Sequence, residues 1–156
     1  MFRELRNSKR QLEDHHLERI LNEGEYGVLA TIGENQYPYA TPLSYVYINN
    51  ALYFHGASVG HKLDNIKFSD KVSFSVVQNT EVLPAKFTTR YESVIVFGKA
   101  STVADEEEKK VALMAFIDKY SPEFKKEGSE YINRAASKTN IVKITIDRAT
   151  AKGNLK

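Results

Sequence analysis

Apolar residues change their spacing several times along this chain, and each change marks a new element. From about Lys9 to Glu23, Leu12, His16, Ile20 and Glu23 form one helical line, and Leu17 and Leu21 broaden the stripe. Gly24 is placed to end that helix. The period then falls to two. Tyr26 to Ile32 reads as a strand, Gly33-Glu34-Asn35-Gln36 as a turn, and Tyr39 to Ile48 as a second, longer strand. Asn49-Asn50 suits a tight hairpin into Ala51–His55, because asparagine tolerates the positive φ of such turns.

Gly56, Ala57 and Ser58 interrupt this third strand, and Leu63, Ile66 and Lys67 predict a short helix starting near Gly60 or His61. Val72 to Val77 is rich in β-branched residues and reads as a strand. Between Phe87 and Val103 lies a long strand with Val94, Val96 and Gly98 on one face and Ser93, Ile95 and Phe97 on the other. Two mostly apolar faces mark a central strand, and an interior Gly98 marks a bulge or a close backbone approach. Asp105 to Glu108 opens a helix, with Asp105 as cap and Glu108 as its capping-box partner. Val111, Ala112, Ala115, Phe116 and Lys119 continue it, and Ser121-Pro122 ends it. A shorter helix is predicted from Ser129 to Ala136 and a last strand from Ile141 to Ile146. The tail from Asp147 to Lys156 is polar and shows no period.

Strands fill the centre and helices the flanks, without the alternation of βαβ units. This predicts a mainly β, antiparallel fold rather than a doubly wound sheet. No repeat or linker divides the chain, so residues 1–156 read as one domain.

Composition narrows the chemistry. The chain has no cysteine, which excludes disulfides, thiolate metal sites and cysteine nucleophiles. Its charges are interspersed and sum to +2, which does not point to nucleic acid. No apolar run approaches the ~20 residues that cross a membrane. Basic residues in Met1–Arg6 are followed by no apolar stretch, so no secretory signal is expected and the cytoplasm is the expected compartment.

Most catalytic patterns are missing: there is no G-x-S-x-G, P-loop or G-x-G-x-x-G. His15 and His16 point about 100° apart on a helix and cannot share one ion, so no metal site is expected. Two features remain. Gly60-His61-Lys62 stands at a helix start, where free amides, a close-approaching backbone and a lysine suit a phosphate; the same residues also suit an ordinary turn with a surface lysine. His55 ends a strand, where an imidazole can transfer protons near neutrality or simply bond a loop carbonyl. The aromatic set Tyr37, Tyr39, Tyr45, Tyr47, Tyr53 and Phe54 lies on strands and suits packing, or stacking on a planar ligand.

Taken in order, Tyr37-Pro38-Tyr39-Ala40-Thr41-Pro42-Leu43, Ala51–Ala57, Gly60-His61-Lys62-Leu63 and Tyr91–Ala100 resemble the FMN-binding split-barrel proteins related to pyridoxamine 5′-phosphate oxidase. Within them, the chain is most similar to the branch that includes the 5-nitroimidazole resistance proteins. The resemblance spans roughly Tyr26 to Ile146. It implies a six-stranded antiparallel split β-barrel and a homodimer with flavins in the subunit interface.

It also implies roles for particular residues. Thr41, Pro42, Leu43 and Ser44 would lie along the isoalloxazine. His55, Gly56, Ala57, Gly60, His61 and Lys62 would wrap the ribityl chain and phosphate, with Lys62 on the phosphate. Tyr91 and Ser93 would stand near the cofactor, toward a partner's flavin, and Lys152 near the interface. His55 would be the catalytic residue. The implied function is an FMN-dependent oxidoreductase acting on a small molecule, with nitroaromatic compounds as the candidate class. A flavin-binding module without turnover and a haem-binding split barrel are the alternatives. The arginine- and lysine-rich motifs of a true pyridoxamine 5′-phosphate oxidase are missing, so that activity is not expected.

Overall fold

The computed structural model describes residues 2–155; Met1 and Lys156, the ends of the expected domain, lie outside the described residues. Among those described, seven strands form one antiparallel sheet. They are β1 (Gly27–Ile32), β2 (Pro38–Leu43), β3 (Val46–Ile48), β4 (Ala51–Gly56), β5 (Lys71–Leu83), β6 (Thr88–Thr102) and β7 (Asn140–Asn154). Their order across the sheet is β2-β1-β5-β6-β7-β4-β3. The flanking helices are α1 (Asp14–Glu23), α2 (His61–Phe68), α3 (Glu106–Tyr120) and α4 (Lys125–Ala135). None is long and apolar enough to cross a membrane.

The mainly β architecture agrees with the sequence pattern, but the sheet has seven strands, not six, and no ladder closes it into a barrel. The cause lies at Ser44-Tyr45, where the single strand expected from Tyr39 to Ile48 breaks. Tyr45 is fully buried. Its N–H donates to the Tyr120 hydroxyl at 3.1 Å, and its carbonyl accepts from the Lys119 ammonium at 3.1 Å and the Tyr120 hydroxyl at 3.0 Å. With both backbone groups engaged by α3, Tyr45 cannot join a ladder. β2 and β3 therefore become the two sheet edges, tied to each other through the covalent chain.

Strand alternation divides the buried residues into two cores. Leu52 and Phe54 of β4 face a core built from Leu29, Phe74, Val76, Val94, Val96 and Ile144, closed by Ile20 and Leu21 of α1 and Leu63 of α2. Ala51 and Tyr53 face the other core, with Ile141 and with Ala112, Leu113 and Phe116 of α3 and Ile132 of α4. Each large side chain so buried contributes about 1.5–3 kcal/mol. The second core covers only one part of the outer face. Over β2, β1, β5 and β6 that face carries the row Pro42, Val28, Ser75 and Ile95 and the row Ala40, Ala30, Ser73 and Phe97. Val28, Ile95 and Phe97 belong to neither core.

Several boundaries shift for physical reasons. α1 starts at Asp14 rather than Lys9, because Gln11 bridges Lys152 and the Leu12 amide donates to Ala151 O at 3.0 Å. Gly24 ends α1 with a φ of −57°, so its role is space: a Cβ there would stand 2.5 Å from Val76 Cγ1 and 2.7 Å from the Tyr45 hydroxyl. Asp105 caps α3 by accepting from the Glu108 amide at 2.8 Å. Glu108 does not reciprocate; it accepts from the Tyr53 hydroxyl and the Lys143 ammonium, both at 2.8 Å. α4 begins at Lys125, and the tail expected to be irregular is strand β7, paired with β6 as far as Asn154.

Candidate functional site

The corner between β4 and α2 is built around Gly60. Its φ of +140° is closed to residues with a side chain, and it stands at the N-terminus of α2 with no side-chain cap. The Gly60 carbonyl accepts from the amides of Leu63 (2.9 Å) and Asp64 (3.1 Å). The amides of His61 and Lys62 precede the first intrahelical donors and remain free to meet an anion at the positive end of the helix. Lys62 turns back over the end of β4, its Nζ 3.8 Å from where a Gly56 Cβ would sit. It forms no ion pair among the described residues. Ala57 is held by the Asn140 side-chain amide, which donates to its carbonyl at 3.4 Å.

His61 joins this corner to the edge strand. Its ring lies against Tyr39 of β2, tilted by 33°, with centroids 4.0 Å apart. Two residues on, and on the same side of β2 as Tyr39, Thr41 has a buried hydroxyl oxygen with no hydrogen-bond partner. Leu43 packs on the inner core, while Pro42 and Ser44 are exposed. As an edge strand paired on one side only, β2 leaves alternate backbone groups unpaired. The donor set fits a phosphorylated, ring-bearing anion: a free lysine, two helix-end amides, a glycine corner, an orphaned hydroxyl and an open strand edge.

The remaining expected residues are not gathered at the same point. His55 and Gly56 alternate along β4, so His55 and Lys62 lie on opposite sides of that strand's end. His55 is exposed at the end of β4 but meets Phe116 of α3 edge-on at 4.7 Å, and partial desolvation holds its pKa below the ordinary value of 6.5. The neutral imidazole is therefore its form at neutral pH. Tyr91 and Ser93 stand on the outer face of β6, opposite Asn154 and Lys152 of β7. The Ser93 hydroxyl donates to Lys152 O at 3.4 Å, and the Lys152 ammonium is 5.9 Å from the Tyr91 ring. Three strand spacings, about 14 Å, separate β6 from β2, so one chain does not bring Tyr91 and Ser93 to Thr41–Ser44.

Two further groups, Asn65 and Lys119, were not singled out from the sequence. Asn65 is buried on α2 and donates to the Thr31 hydroxyl at 3.0 Å, fixing the helix to β1. Lys119 lies 3.9 Å from the Tyr45 ring centroid, where burial pulls its pKa down to about 8. Its place on the apolar stripe of α3 is the one hint that the sequence offers. Among the described residues no cluster of His, Asp and Glu could hold a metal ion.

Several solved structures share the fold. A protein provisionally assigned to 5-nitroimidazole antibiotic resistance, from Bacteroides thetaiotaomicron, superposes with a TM-score of 0.77 at 22% identity, covering 90% of this chain and 84% of its own. A conserved hypothetical protein from Mycobacterium tuberculosis gives 0.82 at 18% identity, covering 96% and 90%. An FAD-binding protein from Mycobacterium smegmatis gives 0.66 at 22%, covering 94% and 98%. No curated protein matches the chain in sequence. The family model described as pyridoxamine 5′-phosphate oxidase matches residues 13–153, nearly the full length, and the chain belongs to this family.

Proposed function

We propose that this protein is a homodimeric, FMN-dependent oxidoreductase that reduces small molecules, with nitroaromatic compounds as its substrate class. The observation that carries the proposal is the β4–α2 corner, where Lys62 and the free amides of α2 meet the open edge of β2 through the His61–Tyr39 ring contact.

Lys62 and the first amides of α2 would hold the phosphate, and Thr41 to Ser44 would present the edge of β2 to the ring. FMN, when bound, supplies the redox chemistry. His55, as a neutral imidazole, donates a hydrogen bond that orients the substrate. The dimer is supported by two features of the outer face. It leaves Val28, Ile95 and Phe97 outside both cores, and it carries Tyr91 and Ser93 too far from their own β2 to complete that chain's site. A second copy facing it would supply them. The fold shared with a protein assigned to nitroimidazole resistance supports the substrate class.

The test is anaerobic. FMN-loaded protein is treated with NADH or NADPH until the flavin absorbance bleaches, and a 5-nitroimidazole is then added. Return of the colour with loss of the nitro compound is the expected result. A flavin that stays bleached would mark a passive carrier and contradict the enzymatic reading.

A further inference from the structure

Lys119 of α3 is partly buried and stands in the wall of two adjoining clefts. One, of about 300 Å³, opens toward Tyr47 of β3; the other, of about 650 Å³, opens toward Glu23, Glu25, Tyr26 and Tyr120. Asn22 borders both, so they form one groove between the C-terminal ends of α1 and α3. Each volume suits a small molecule, whose sites run to roughly 300–1,000 Å³. The groove shares no residue with β2 or the β4–α2 corner.

The amine is held by aromatic faces and one carbonyl. Its Nζ lies 3.9 Å from the centroid of the Tyr45 ring and 5.3 Å from that of Tyr120, and it donates to Tyr45 O at 3.1 Å. No carboxylate pairs with it among the described residues: Asp118 is taken by Lys125 at 2.6 Å and Glu23 by Arg19 at 3.1 Å. Burial without a counter-ion brings its pKa down to about 8, so near that pH roughly half of its amine is neutral and nucleophilic. The amine is also free to turn. Tyr45 O receives the Tyr120 hydroxyl at 3.0 Å as well, so moving Nζ into the groove does not orphan a buried acceptor.

We propose that Lys119 is a covalent capture site for small uncharged aromatic aldehydes, which enter the groove between α1 and α3 and form an imine with its amine. The rings of Tyr26 and Tyr120 offer faces to a planar ligand, and the carboxylates of Glu23 and Glu25 disfavour an anionic one. The amine lone pair attacks the carbonyl carbon, the C=O pair moves to oxygen, and the nitrogen gives up a proton as that oxygen takes one. The Tyr120 hydroxyl, bonded to the same carbonyl as the amine, is placed to carry it. Loss of water then leaves C=N at Nζ, with nothing oxidised or reduced.

Trapping with sodium cyanoborohydride at pH 7.5, followed by peptide mapping, tests this on the full chain. Benzaldehyde should leave its benzyl group on Lys119 about tenfold or more faster than on the median lysine, as the larger neutral fraction of its amine dictates. The anionic 4-carboxybenzaldehyde should label Lys119 several times more slowly than benzaldehyde does. Lys119→Arg, which keeps the charge and cannot form an imine, should remove the fast phase of labelling from the whole protein. Labelling of Lys119 no faster than that of the other lysines would overturn the capture site. Equal labelling by the two aldehydes would overturn its substrate class.

Discussion

The ring of His61, at the start of α2, lies 4.0 Å from the ring of Tyr39, in the middle of the edge strand β2. This contact ties the loop after β4 to the opposite end of the strand order, and the neighbouring Lys62 forms no ion pair among the described residues. Lys62→Ala should therefore weaken FMN binding without unfolding the chain. Hydrogen bonds to charged groups are worth about 1.5–3 kcal/mol, roughly ten- to hundredfold in affinity. Calorimetric titration with FMN, alongside a circular dichroism spectrum, checks both halves. Unchanged affinity would remove Lys62 from the site.

His55 should titrate with a midpoint below 6.5, because partial desolvation disfavours the charged ring. The unfolded chain takes up this proton first, so His55 lowers stability progressively as pH falls from about 6.5 through the folded midpoint. Above that window it has no effect. An NMR titration of the His55 ring gives the midpoint, and Phe116→Ala, which removes the apolar neighbour, should raise it. His55→Ala should keep FMN bound and lose turnover; normal turnover would reduce His55 to a packing residue.

Glu92 is buried on β6 and is met by Arg19, by Asn79 at 2.6 Å and by Gln78 at 3.4 Å. Burial draws its pKa upward, but the hydrogen bonds from Arg19, Asn79 and Gln78 together hold it below the ordinary carboxylate value. The stability it supplies is full above about pH 4.5 and is lost as pH falls through the depressed folded value. Arg19→Ala leaves a buried acceptor short of a donor and should destabilise by about 1–3 kcal/mol. Urea unfolding at neutral pH measures this. FMN affinity should not change.

Tyr120 links α3 to the chain break that makes β2 and β3 separate strands: its hydroxyl oxygen accepts from the Tyr45 amide, and its one proton is shared between Glu25 O at 2.7 Å and Tyr45 O at 3.0 Å. Tyr120→Phe removes this acceptor and this shared donor and should destabilise by about 1–3 kcal/mol. Because Ser44 is next in the chain to Tyr45, it should also loosen FMN. A thermal melt with and without FMN separates the two effects.

How much of this was legible locally depends on where each cause lies. The Asn49-Asn50 hairpin and the Asp105 cap have their causes within a few residues, and both appear as read: each asparagine has positive φ, and Asp105 holds the Glu108 amide. The break at Tyr45 has its cause on α3, 75 residues away, where no local pattern reaches. β7 was hidden differently. Its alternation persists through Ala149, Ala151 and Gly153, but residues this small barely register as an apolar face. At the site, the resemblance points to the His55–Lys62 loop. It did not reveal that His55 and Lys62 take opposite sides of β4, nor that Tyr91 stands three strand spacings from β2.

The open outer face makes the assembly directly testable. Ile95 sits there in register with Ser75 and Thr150 and belongs to neither core. Ile95→Glu should convert a dimer to a monomer with an unchanged circular dichroism spectrum, and FMN uptake should fall with it. Sedimentation velocity reads the first effect and calorimetry the second.

The most direct test of the central claim is the visible absorption spectrum of the purified protein during size-exclusion chromatography, before and after incubation with FMN. Flavin absorbance should travel with a dimer at one flavin per chain. A colourless protein that takes up no FMN would contradict it.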